Sequence, residues 1–113
     1  MTLRQRQSAF AQSVALLIQK ARELGFDVTL GDAYRDPRVH GEIGVKMGYG
    51  HMRSAHKQRL AIDLNLYKDG MYLEATEAHR PLGEWWESLA SDHRWGGRFN
   101  DGNHYSVEVD GVK

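Results

Sequence analysis

The sequence has no cysteine, which removes disulfides, thiolate metal sites and cysteine nucleophiles together. Any metal must be held by His, Asp, Glu or water, and six histidines keep that option open. Proline occurs only twice, and a composition 41% hydrophobic and 27% charged is that of a folded globule rather than a disordered tail. Neither charge sign is in excess. Fifteen Lys+Arg balance fifteen Asp+Glu, so the chain is not built to neutralise many phosphates, and no nucleic-acid partner is expected. No apolar run approaches the ~20 residues that cross a bilayer, so no membrane partner is expected either. Arg4 and Arg6 ahead of Val14-Ala15-Leu16-Leu17-Ile18 have the outline of a leader. However, Gln5, Gln7, Gln12 and Ser13 interrupt it, and Gln19-Lys20 follows with no small-residue cleavage site. The stretch reads as a mature helix, which implies synthesis in the cytoplasm without a signal peptide.

What is present fits one domain spanning 1–113, with a mass of 12.9 kDa. Phe10, Val14, Leu17, Ala21 and Leu24 step by fours and threes, predicting an amphipathic helix over 3–24 that Gly25 stops. Phe26 to Leu30 alternates as a half-buried strand does, and Leu60 to Tyr67 alternates more strongly. In the latter, Leu60, Ile62, Leu64 and Leu66 share one face, and Ala61, Asp63, Asn65 and Tyr67 the other. Lys68-Asp69-Gly70 is a hairpin turn into Met71-Tyr72-Leu73. Pro81 opens a second helix with Leu82, Trp85, Trp86, Leu89 and Ala90 at helical spacing, where the two indoles read as core. A glycine-containing stretch over 94–103 precedes a closing strand, His104 to Val109. Residues 37–53 carry four glycines and no sustained period, and read as a long loop of the kind that is functional or mobile. The order predicts a small α+β domain, an antiparallel sheet flanked by helices.

Two stretches carry chemistry. In Ser54-Ala55-His56-Lys57-Gln58-Arg59-Leu60-Ala61-Ile62-Asp63, six residues separate an imidazole before a strand from a carboxylate on its non-core face. A carboxylate amid Leu and Ile at a strand centre is uncommon without a partner, although a surface position at a sheet edge also accounts for it. In Asp101-Gly102-Asn103-His104, a carboxylate precedes a histidine at a strand entrance, where an Asp-Gly turn and an ordinary strand histidine are the plainer accounts. Taken together, two His and one Asp make a three-ligand set that leaves a position for water, as hydrolytic zinc requires. His40, His51, His79 and His93 complete no such set.

These residues resemble the M15 metallopeptidases, the D-alanyl-D-alanine carboxypeptidases and phage endolysins that cut L-alanyl-D-glutamate bonds in peptidoglycan. The resemblance rests on Ser-x-His-x6-Asp at Ser54, His56 and Asp63, on Asp-x-x-His at Asp101 and His104, on Trp95-Gly96-Gly97 and on Tyr34-Arg35. It covers roughly residues 28 to 108. The chain departs from the pattern at Arg59, where many members have glycine, and after His104, where Tyr105-Ser106 replaces a His-x-Glu ending. The resemblance implies a small α+β peptidase domain with zinc as cofactor, held by His56, Asp63 and His104. It implies Asp101 as general base and Arg35 as the group that polarises the scissile carbonyl or holds a substrate carboxylate. Ser54 would support the site and Trp95 would line the cleft. The implied partner is a peptidoglycan stem peptide, met by a monomer after holin- or lysis-mediated release. A metal-dependent nuclease is a different reading, permitted by ten arginines but weakened by zero net charge. A cell-wall binding module stapled by its metal, without turnover, is a third.

Overall fold

The computed structural model describes residues 1–34 and 55–113, so the expected loop over 37–53 lies outside the described residues. Helix α1 spans Leu3–Glu23. Thr2 caps it reciprocally with Gln5, each side chain meeting the other's backbone N–H. Gly25, at φ 93°, takes the left-handed conformation that ends it. Strand β1 is Asp27–Leu30, β2 Ala61–Lys68, β3 Met71–Tyr72, β4 His93–Trp95 and β5 His104–Val107. Helix α2 is Arg80–Leu89, with Pro81 in its first turn.

The five strands form one antiparallel sheet in the order β1-β2-β5-β4, and β3 also pairs with β2. β2 is its axis. The β2–β3 hairpin turns at Asp69 and Gly70, both at positive φ (53° and 78°), as a two-residue turn between twisted strands demands. The alternation read from the sequence is what the fold uses. Leu60, Ile62, Leu64 and Leu66 are buried, and Asp63, Asn65 and Tyr67 on the other face are half-buried. Both helices contribute to the core. Trp86 of α2 meets Phe10 of α1 edge-on at 6.0 Å and Tyr105 of β5 at 6.1 Å. Its indole N–H donates to the carbonyls of Arg94 and Ser106 at 3.0 and 3.1 Å, while Trp85 is only half-buried.

Two elements differ from the sequence-based expectation. The glycine-containing stretch starts as strand β4, because His93, Arg94 and Trp95 pair with Val107, Ser106 and Tyr105. Three residues are too few for a period to show. The closing strand ends at Val107 rather than Val109, since Asp110 and Gly111 (φ 52° and 76°) turn the chain and bridge Val109 to Val112.

Candidate metal centre

Three separate stretches supply the site. His56 lies on a 3-10 turn, Ala55–Gln58, closed by the Leu60 N–H donating to the Ala55 carbonyl (3.0 Å). The Gln7 side chain of α1 donates to the Gln58 carbonyl at 2.8 Å and fixes this turn to the helix. Arg59, at φ 58°, then bends the chain into β2. Asp63 is the third residue of β2, and its Cα partner across the ladder is His104, the first residue of β5. Just beyond β1, the Gly31 N–H donates to the Asp63 carbonyl and the Asp63 N–H to the Asp32 carbonyl, both at 2.8 Å. Asp63 is thus held on one side by its own backbone and faced on the other by His104.

The side chains converge. His56 Nε2 stands 3.2 Å from His104 Nδ1 and 3.2 Å from Asp63 Oδ1, and His104 Nδ1 stands 3.4 Å from Asp63 Oδ1. A tetrahedral ion with bonds of ~2.0–2.1 Å keeps its ligand atoms ~3.3–3.4 Å apart, so this triangle has the size of one face of its coordination shell. The outer nitrogens are anchored as well. His56 Nδ1 is 3.2 Å from the Ala33 carbonyl oxygen, and His104 Nε2 is 3.3 Å from the Lys113 backbone oxygen. Such oxygens only accept, so each ring can carry its proton outward and present a lone pair to a bound ion. Backbone acceptors of this kind orient ligating imidazoles in metal sites generally.

Asp63 Oδ1 is buried and accepts no hydrogen bond among the described residues. Burial alone would raise the Asp63 carboxyl, but the neighbouring His104 and His56 rings more than offset it and lower it to about 2. Without an ion, ring protons are shared across the cluster; with both ring protons turned outward, two imidazole lone pairs and a carboxylate oxygen face one another. That donor set is repulsive by itself and suits a cation. His56, Asp63 and His104 could hold a metal ion, the one such group among the described residues.

No protein-family model and no curated protein matches the chain. The site therefore rests on its own geometry.

The other expected residues are distributed differently. Asp101 is exposed on the turn into β5, and its carbonyl accepts the His104 N–H at 3.1 Å, so the two are joined through backbone. Arg35 and Ser54 lie outside the described residues, as do His40 and His51. Trp95, expected to line the cleft, is instead fully buried. Its indole N–H donates to the Gly102 carbonyl at 2.7 Å, and its ring packs where side chains at Gly83 and Gly97 would collide with it. The glycines that brought backbone close to it make it a core residue.

Sequence reasoning missed the groups that support the ligands. The carbonyls of Asp32, Ala33 and Lys113 have no residue-type signature, because any residue supplies a carbonyl. Gly96 did leave a signal as part of Trp95-Gly96-Gly97. A Cβ there would strike the Asp101 carbonyl and come within 2.6 Å of the His104 Cβ, so only glycine admits this approach. Phe99, about half exposed, packs beside the His104 ring with centroids 5.8 Å apart. Tyr34 is stacked by the Arg59 guanidinium at 4.2 Å.

Proposed function

We propose that the chain is a zinc-dependent peptidase of the M15 type that hydrolyses peptidoglycan stem peptides, cutting L-Ala–D-Glu bonds in preference to D-Ala–D-Ala. One observation supports this reading above the others: His56 Nε2, Asp63 Oδ1 and His104 Nδ1 meet at 3.2, 3.2 and 3.4 Å, with a backbone acceptor behind each ring. Three protein ligands on a tetrahedral face leave the fourth position open, the arrangement of hydrolytic rather than structural zinc. A bound zinc ion supplies Lewis acidity and lowers the pKa of water to about 7.

The chain's own residues do the rest. The Asp101 carboxylate, exposed beside the ligand strand, takes the proton of the attacking water and returns it to the leaving amine. The resemblance gives Arg35 the substrate carbonyl or carboxylate, which a planar guanidinium binds with two parallel donors. The resemblance gives Ser54 a supporting role at the site. Trp95 contributes through packing and is not assigned a substrate contact.

The test is digestion of purified peptidoglycan by the zinc-loaded protein, followed by mass analysis of the released fragments. New amino termini at D-Glu are expected. Unchanged peptidoglycan with zinc bound at one equivalent would overturn the proposal.

A further inference from the structure

The face of the sheet that carries Asp63 continues past it. Side chains two apart on a strand share a face, and residues directly opposite across an antiparallel ladder share it too. Asn65 and Tyr67 therefore follow Asp63 along β2, Thr29 of β1 stands opposite Asn65, and Tyr72 of β3 stands opposite Tyr67. The Asn65 side-chain amide donates to Thr29 Oγ1 at 3.3 Å, and Thr29 Oγ1 stands 3.5 Å from the Tyr67 hydroxyl oxygen. The Tyr67 and Tyr72 rings meet with centroids 5.5 Å apart. Thr29 is exposed, Tyr72 is 51% exposed, and Asn65 and Tyr67 are half-buried, so the row is open to solvent.

Two tyrosine rings beside an amide and a hydroxyl make a surface with apolar flats and hydrogen-bonding edges. A sugar ring has the complementary build, with C–H bonds on its faces and polar groups around its rim. The Asn65 amide oxygen has no partner among the described residues and can accept an acetamido N–H. Position says where such a ring would come from. Same-face neighbours on a strand are ~6.7 Å apart, so Asn65 and Tyr67 follow Asp63 at roughly 7 and 13 Å. In peptidoglycan, one alanine and one lactyl group separate the L-Ala–D-Glu bond from the amino sugar, roughly 7 Å when extended. A D-Ala–D-Ala bond lies roughly 17 Å from that sugar, beyond the row. We infer that the row of Asn65, Tyr67 and Tyr72 docks the N-acetylated amino sugar that bears the stem peptide, with the sugar stacked on the tyrosines. The inference rests on the peptidase reading of the metal centre, and it makes glycan-linked stem peptide, rather than free peptide, the substrate.

The experiment is titration of the full chain with chitotetraose, a soluble run of N-acetylated amino sugars, and with cellotetraose, which carries hydroxyls in place of the acetamido groups. Backbone amide NMR shifts follow both. Saturable shifts at Thr29, Asn65, Tyr67 and Tyr72 are expected with chitotetraose, and cellotetraose should bind about fivefold more weakly, as the loss of one hydrogen bond implies. Tyr72→Ala should weaken chitotetraose binding about tenfold, the effect of removing an aromatic anchor. Met71→Ala, on the same short strand with its side chain on the opposite face, should leave binding unchanged. If Tyr72→Ala fails to fold, Asn65→Ala tests the same row and should bring chitotetraose down to the affinity of cellotetraose. No saturable shifts at these amides, equal affinities for the two sugars, or undiminished chitotetraose binding in the Tyr72 and Asn65 variants would each overturn the inference. Peptidoglycan digestion run alongside separates the two readings. Cleavage without sugar binding overturns this inference alone, and sugar binding without cleavage overturns the peptidase reading alone.

Discussion

Asp63 and His104 are direct partners across the β2–β5 ladder, and their side chains leave the same face of the sheet, Oδ1 to Nδ1 at 3.4 Å. Two of the three proposed ligands are thus set by sheet register alone. Slipping the register by one residue would send one of them to the opposite face, where Ile62 and Tyr105 belong to the core.

Zinc should bind at one equivalent, and at a free concentration 100 times its dissociation constant it should stabilise the fold by about 2.7 kcal/mol. His56→Ala should weaken binding at least ~10-fold, because it removes a ligand outright. Elemental analysis after dialysis and thermal melts with and without chelator check both effects. A chelator that leaves the melting temperature unchanged would contradict the assignment.

Asp101→Asn should retain zinc and fold but lose ~10²–10⁴-fold in peptidoglycan cleavage, the usual contribution of a positioned general base. The Asp101 carbonyl, which accepts the His104 N–H, is unaffected by the change. Fragment release and zinc content measured on the same preparation separate a catalytic loss from a structural one. A binding module stapled by its metal would show no loss at all.

Gly96→Ala should destabilise the fold by ~1–3 kcal/mol, the cost of forcing a methyl group into packed space. The colliding atoms are the Asp101 carbonyl and the His104 Cβ, so zinc affinity should fall too. Urea midpoints and zinc titration check the two effects together. Gly25→Ala is the control. Nothing lies within 4 Å of a Cβ at Gly25, so strain from its φ of 93° should cost stability and leave zinc affinity alone.

Acid should destabilise the protein through His79. Its Nδ1 is 2.8 Å from the Tyr105 hydroxyl, and burial lowers its pKa to about 4. The unfolded chain takes up this proton near pH 6.5. Stability from the neutral ring is therefore complete above pH 6.5 and is lost as pH falls towards 4, by up to ~3 kcal/mol. His79→Gln, which still accepts from Tyr105, should flatten this part of the curve. Urea unfolding at intervals between pH 7 and pH 4 measures it.

Long periodic segments were legible in the sequence because burial leaves a period. The α1 stripe and the alternation of β2 both appear in the fold, and β2 places Asp63 off the core face. The spacing of His56, Asp63 and His104 suggests a ligand set; the sheet register joins Asp63 to His104, and the Ala55–Gln58 turn brings His56 to them. Strand β4 and the turn at Asp110 were too short to leave a pattern. Trp95 was misread because glycine neighbours signal close approach without telling whether a substrate or the protein's own core does the approaching.

His56 and His104 are 48 positions apart in the chain, yet their ring nitrogens nearly touch. A cation gripping both acts as a clasp on that span as well as a reagent. It restricts the wandering of the unfolded polymer as any long-loop cross-link does. In a chain without a single sulfur bridge, an ion held there would also fasten the fold shut.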